Sequence, residues 1–165
     1  DSLDIGARLF IANLPSQLQQ RHIVDLGCGN GVIGLSVLEK CSSAKLHFVD
    51  ESYMAVASAQ QNVAANFADS IAHCQFSVND CLTGFAPSSV DLILCNPPFH
   101  QQNAVTDHIA WQMFKDSYRV LKKGGELRIV GNRQLAYHIK LQRLFGNDKL
   151  IASNQKFVVL SAIKS

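Results

Sequence analysis

The sequence predicts an α/β fold: a seven-stranded, mostly parallel sheet with an antiparallel edge strand and helices on both faces. Three observations lead there. Short β-rich apolar runs alternate with stretches of helical periodicity, the pattern that right-handed crossovers turn into a parallel sheet covered on both sides. A glycine-rich turn, Gly27-Cys28-Gly29-Asn30-Gly31, joins the first such run to the helix after it. Two short-linked apolar runs close the chain, which suits an antiparallel pair at one edge.

Taken in order, Leu3 to Leu14 places apolar residues at helical spacing before Pro15 stops the pattern, so a short helix is expected there, leaning over the next element. His22 to Leu26 is a brief strand, and Val32 to Lys40 a helix. Lys45 to Val49 forms the second strand and Asp50 ends it. Ser52 can cap an alanine-rich helix that reaches Phe67, with Ala59, Val63 and Phe67 on one face. Gln75 to Val78 and Val90 to Cys95 are the third and fourth strands. Asn103 to Lys122 reads as a long helix stopped by Gly124-Gly125, and Glu126 to Val130 as the fifth strand. Leu135 to Phe145 is the last helix; Lys149 to Ala152 and Lys156 to Ile163 are the closing pair of strands. At 165 residues the chain suits a single domain, residues 1–165, with no linker long enough to divide it.

A hydrophobic content of 47% with 17% charged residues is ordinary for a globular protein with a full core. No apolar stretch is long enough for a membrane span and no leader pattern stands out, so a cytoplasmic protein without membrane contacts is expected. The five cysteines are odd in number and lack a C-x-x-C pair, and the six histidines lack metal-ligand spacing, so neither a disulfide set nor a metal site is expected. The net charge of +2 hides an asymmetry, because residues 1–114 carry a net −6 and residues 115–165 a net +8. An acidic first half is compatible with a cationic cofactor, and a basic second half with a polyanion such as RNA. Arg119, Lys122, Lys123, Arg128, Arg133, Lys140, Arg143 and Lys149 supply much of that basic excess, and a plain solvated face would read the same way.

The strongest chemical signal is Asn96-Pro97-Pro98-Phe99, directly after the fourth strand. Pro97 keeps Asn96 out of the helical region and both prolines fix their own φ, so the Asn96 amide is an aimed group. Its side-chain oxygen and the Pro97 carbonyl can each accept one N–H of a planar amine, while Phe99 offers a ring to stack on. A proline-rich turn would look the same in isolation. The glycine loop decides between them. Gly29 to Gly34 satisfies G-x-G-x-x-G, the dinucleotide fingerprint, yet Asp25 interrupts the strand and the glycines alternate at Gly27, Gly29 and Gly31. Asp25 can support a ligand amino group, Asp50 can accept from two ribose hydroxyls, and Asp80 can accept from an adenine amine. Carboxylates at three successive strand ends suit a sulfonium cofactor, whereas a nicotinamide dinucleotide gains nothing from them. Cys28 reads as a packing residue; Asp107 and His100 read as helix-start and loop polarity.

These motifs resemble the ribosomal RNA guanine-N2 methyltransferases, most closely the large-subunit (23S) members. The resemblance covers nearly the whole chain and rests on Leu3-Asp4-Ile5-Gly6-Ala7-Arg8, Val24-Asp25-Leu26-Gly27-Cys28-Gly29-Asn30-Gly31, Val49-Asp50-Glu51-Ser52, Cys95-Asn96-Pro97-Pro98-Phe99-His100-Gln101-Gln102 and Asn154-Gln155-Lys156-Phe157-Val158-Val159-Leu160. It implies a Rossmann-like class I fold, S-adenosylmethionine as cofactor, and methylation of the exocyclic N2 amine of a guanine in large-subunit ribosomal RNA. Family members usually carry an N-terminal half that is a degenerate copy of the same fold, absent here, which would help select the RNA. Three alternatives stay open: a small-subunit guanine-N2 enzyme, a glutamine-N5 protein methyltransferase, whose turn carries Tyr rather than Phe, and a non-catalytic RNA-binding module.

Overall fold

The computed structural model describes residues 4–98 and 104–165. Its sheet has seven strands in the order β3-β2-β1-β4-β5-β7-β6. These are β1 (His22–Leu26), β2 (Lys45–Asp50), β3 (Cys74–Val78), β4 (Val90–Cys95), β5 (Leu121–Asn132), β6 (Lys149–Ser153) and β7 (Phe157–Ile163). The first five run parallel; β7 is antiparallel both to β5 and to β6, so the reversed strand lies one place in from the edge and β6 forms the edge. Sequence order reverses between β1 and β4, which opens a crevice beyond their carboxyl ends.

Helices α1 (Ile5–Ala12), α2 (Val32–Lys40) and α3 (Tyr53–Asn66) cover one face, where Phe10, Val37, Ala59 and Val63 meet Leu46, Phe48 and Leu92. On the other face α4 (Ala104–Val120) and α5 (Tyr137–Phe145) bring Phe114, Leu141 and Phe145 against Ile93, Leu127 and Ile129. The cap expected at Ser52 forms, its hydroxyl accepting from Ala55 N at 3.2 Å; α1 has an unforeseen cap of the same kind, the Asp4 carboxylate accepting from Ala7 N at 2.7 Å. Helix α1 does not lean over β1; it packs across β5 and β7 and touches α2.

Two boundaries differ from the sequence reading. Gly124-Gly125 does not stop α4, which ends at Val120; β5 begins at once and runs through both glycines. The helix end is closed instead by the preceding loop, with Ser88 N donating to Arg119 O at 3.1 Å and Ser89 N to Val120 O at 2.8 Å. The glycines serve a register shift against β4: Gly124 is left-handed at φ +85°, and a Cβ on Gly125 would stand 3.0 Å from Asp91 O. The last helix also begins later than expected, because a 3-10 turn at Arg133–Leu135 and a left-handed Ala136 intervene. A further 3-10 turn, Ala68–His73, precedes β3. The predicted start of α4 at Asn103, and Leu3 of the first helix, lie outside the described residues.

Gly34, in the first turn of α2, sets how closely this helix meets the sheet. A Cβ there would fall 2.2 Å from a ring carbon of Phe48, which is fully buried and stacked on Phe76 with centroids 5.0 Å apart. Gly34→Ala should therefore destabilise the fold by about 2–3 kcal/mol and lower Tm by about 5–10 °C. Thermal denaturation tests this; a Tm within a degree of wild type would mean that Phe48 has room to turn away.

Candidate active site

The crevice beyond β1 and β4 contains a cavity of about 330 Å³ whose walls include Gly27, Asp50, Asn79, Asn96, Ile109 and Met113. It thus joins residues from the ends of β1, β2 and β4, from the segment after β3, and from α4. A larger cavity of about 390 Å³ lies at the opposite ends of the strands, near His22, Lys45 and Val90. We place the site in the smaller one, because only there do the strand ends and the glycine loop converge on aimed polar groups.

Asn96 follows β4 directly and is half-buried, with Pro97 buried behind it. Among the described residues, the Asn96 Oδ1 is buried without any hydrogen-bond partner. Such an orphaned acceptor costs about 1–3 kcal/mol, so a fold that keeps one at the wall of a cavity holds it ready for a donor from outside. Phe99 and His100 lie outside the described residues, as do Gln101 and Gln102.

The glycine loop is built by its backbone. Gly27 N and Cys28 N both donate to Val49 O, at 2.8 and 3.0 Å, which ties the loop to the end of β2. Gly27, Gly29 and Gly31 all adopt positive φ, and the open space beside Gly29, where a Cβ would meet nothing within 4 Å, leaves its backbone approachable by a ligand. Asp50 braces this loop: one carboxylate oxygen accepts from Gly29 N at 2.9 Å and the other from Ser52 N at 2.9 Å. Each oxygen retains a lone pair for a further donor.

Asp25 is placed differently from Asp50. It is 2% exposed, and its Oδ2 accepts from Gly34 N at 2.9 Å, so it serves the first turn of α2 from beneath the loop. Burial, opposed by the Gly34 bond and reinforced by the nearby Asp50 charge, pushes its pKa up to about 7. The folded value lies above the ordinary 3.8, so the stability present at low pH is lost as pH rises from about 4 through 7. Denaturant titrations at pH 4.5 and 7.5 should show Asp25→Asn relieved of this loss, on the order of 2–4 kcal/mol relative to wild type. Parallel pH dependences in the two proteins would mean that Asp25 is ionised throughout.

Asp80 does not reach the cavity wall; its Oδ1 accepts from Gln112 Nε2 of α4 at 3.2 Å, while its neighbours Asn79 and Cys81 line the cavity. Asp107 lies in the first turn of α4, the helix-start position read for it, and forms an ion pair with Lys140 of α5 at 2.5 Å. Cys28 is buried, and desolvation together with Asp25 and Asp50 pushes its thiol far up, so it packs and does not react. All five cysteines are free, and no metal-binding group of side chains is present among the described residues. Nor, among those residues, is any helix long and apolar enough to cross a membrane.

Ile109 and Met113 were not foreseen. Met113 fills the space above Gly27, where a Cβ would stand 2.9 Å from its terminal carbon, and its sulfur lies 3.9 Å from Cys95 Sγ. At helical spacing these two residues look like ordinary core positions, and only the fold brings them to the cavity.

Comparison with known proteins extends this geometry. A family model described as the methyltransferase small domain matches residues 1–161. Two relatives named ribosomal RNA large subunit methyltransferase G are 66% identical over 99% of this chain (Colwellia psychrerythraea) and 61% identical over 99% (Serratia proteamaculans). The chain spans 42% and 43% of their lengths. A solved T. thermophilus 16S rRNA N2 methyltransferase in complex with AdoMet and guanosine superimposes with a TM-score of 0.84 at 28% identity, covering 99% of this chain and 44% of that one. A predicted O-methyltransferase from Agrobacterium tumefaciens, at TM-score 0.75 and 17% identity over 94% of this chain and 79% of its own, shares the fold alone. The strand order with its reversed β7, the glycine loop at the crevice and a family match over nearly the full sequence agree, and the chain belongs to the methyltransferase small domain family.

Proposed function

We propose that this chain is the catalytic domain of an S-adenosylmethionine-dependent enzyme that methylates the N2 amine of a guanine in large-subunit ribosomal RNA. The observation that carries the reading is the orphaned Asn96 Oδ1 at the cavity wall, an acceptor that an exocyclic N–H would satisfy. The names and identities of the relatives favour the large-subunit target, and their additional length is the natural source of a domain that selects the RNA. The small-subunit reading has support from a structure at only 28% identity. A cytoplasmic location follows from a ribosomal RNA substrate.

The cofactor fits the cradle described above. Gly27, Gly29 and Gly31 would let it approach the loop backbone, and Asp50 would accept from its ribose hydroxyls with the lone pairs left beside Gly29 and Ser52. Asp25, buried on Gly34 N beneath the loop, would support the ligand amino group only through the loop backbone, and Asp80, bonded to Gln112 outside the cavity wall, is left without a contact to the adenine amine. S-adenosylmethionine supplies an electrophilic methyl group on a positively charged sulfur. Its positive charge suits a crevice lined by Asp50 and Glu51.

A guanine N2 amine is a poor nucleophile because its lone pair is delocalised into the ring. Asn96 Oδ1 and the Pro97 carbonyl, accepting its two N–H groups out of the ring plane, favour a tetrahedral nitrogen with the lone pair aimed at the methyl. The gain is positioning and fixed dipoles. An amide is no base, so the extra proton leaves to water after transfer. The guanine must be extruded from any helix first, and stacking on Phe99 would offset the stacking it loses. The test is methyl transfer to deproteinised large- and small-subunit ribosomal RNA, followed by nucleoside analysis. N2-methylguanosine in the large RNA is expected. Transfer to the small RNA alone, or to a protein glutamine, would replace this reading.

A further inference from the structure

Residues 115–165 carry eleven cations; Lys115 is exposed on α4, and the structure divides the other ten sharply. Arg119 donates to Phe85 O at 2.6 Å and Leu82 O at 2.8 Å, pinning the loop before β4. Lys122 pairs with Asp91, Arg128 with Glu126, and Lys140 with Asp107. Lys164 donates to Leu121 O at 2.8 Å and lies 5.0 Å from the centre of the Tyr118 ring. These five hold the fold together. Lys123 at the start of β5, Arg143 in the last turn of α5 and Lys149 at the start of β6 stand toward the end of the sheet away from the crevice. The basic half is therefore not one continuous face for RNA.

Arg133 and Lys156 differ from all of these. Strand β7 is antiparallel to β5 and pairs its first residue, Phe157, with Asn132, the last of β5, so the β6–β7 turn stands at the crevice end beside Arg133. The two cations are locked together. Arg133 N donates to Lys156 O at 2.9 Å, and Arg133 Nε to Asn154 O at 2.9 Å. Asn154 Oδ1 in turn accepts from Lys156 N at 2.9 Å and Phe157 N at 2.7 Å, closing the turn. Both cations are exposed, and among the described residues neither forms an ion pair with a carboxylate. The Nε bond fixes the guanidinium and leaves its two terminal amino groups as a fork, the geometry suited to a phosphate. Cys95 pairs with Ile129, so Arg133 lies three residues past the level of Asn96 and one strand over, about 11 Å away by strand geometry. That is the scale of one nucleotide.

We propose that Arg133 and Lys156, joined through the Asn154 turn, form a two-cation clamp for a backbone phosphate next to the acceptor guanosine. The clamp rests on the RNA-methylation reading above and adds to it a positioning element outside the pocket. It fixes the register of the strand and carries no base preference, since phosphate contacts orient and base contacts specify.

The test compares Arg133→Ala, Lys156→Ala, Arg133→Lys and, as a control at the far end of β2, Lys45→Ala, all in the full-length protein with ribosomal RNA. Arg133→Ala and Lys156→Ala should each raise KM for RNA about tenfold, with kcat and S-adenosylmethionine affinity within about twofold of wild type. Each should also flatten the log–log salt dependence of RNA binding by about 0.7–0.9, the loss of one neutralised phosphate. Arg133→Lys, which keeps the charge but not the fork, should fall between. Salt slopes equal to those of wild type and Lys45→Ala, with methylation intact, would overturn the clamp while leaving the proposed activity standing. No methyl transfer to RNA by the wild-type protein would remove that activity, and the clamp with it.

Discussion

Asn96→Ala is expected to slow methyl transfer by about 10²–10³-fold while leaving S-adenosylmethionine affinity within a few-fold of wild type. The effect follows from the state of its Oδ1, which is buried at the cavity wall without a partner among the described residues. If that atom serves the acceptor amine, truncation removes a dipole that acts as the nitrogen changes geometry, and it leaves Asp50 and the glycine loop untouched. The structural cost should be small, because no protein hydrogen bond to Oδ1 is lost, so a Tm at or above that of wild type is part of the expectation. Single-turnover rates at saturating RNA read the chemical step, and calorimetry with S-adenosylhomocysteine reads the cofactor. A rate within a few-fold of wild type would remove Asn96 from the chemistry, and an equal loss in both measurements would reassign it to cofactor binding.

Much of the fold was legible because its signals are local. The span from Val32 to Lys40 follows a positive-φ glycine and carries apolar residues at helical spacing, and Val90 to Cys95 is an apolar run too short for a helix; both form as read. The junction at Val120 was not legible. Helical periodicity continues smoothly into Leu121, and a Gly-Gly pair is a plausible helix stop, yet pairing with β4 claims Leu121 for the sheet. Long-range pairing overrides local preference there, as it does at Arg133–Leu135, where packing of Tyr137 over Gly131 starts the helix late. In the site, Asn96 and Asp50 could be found because proline geometry and strand-end position mark them. Asp80 against Asn79 could not be resolved: once a strand has ended, alternation no longer says which neighbour turns inward, and the structure sets Asn79 at the cavity and Asp80 against Gln112. Burial likewise separates Asp25 from Asp50, although both end strands beside the same loop.

Asp50→Ala should weaken binding of S-adenosylmethionine and S-adenosylhomocysteine alike, each by about 10²–10³-fold. Two losses combine. The proposed ribose hydroxyl contacts are charge-assisted hydrogen bonds, worth about 1.5–3 kcal/mol apiece. The carboxylate also holds Gly29 N at 2.9 Å and Ser52 N at 2.9 Å, so its removal frees the loop that must already be in place when the ligand arrives. Asp50→Asn separates the two terms: an amide oxygen can keep one of those backbone bonds but brings no negative charge, so its affinity should lie between wild type and alanine. Because the ribose is common to both ligands, the ratio of their affinities should stay close to that of wild type, whereas a residue acting on the sulfonium charge would weaken S-adenosylmethionine more. Nicotinamide dinucleotides should compete with neither. The outcome that would sink this assignment is an Asp50→Ala protein that binds S-adenosylhomocysteine normally while its fold, read by Tm, is unchanged, because the carboxylate would then be bracing a loop that the cofactor does not use.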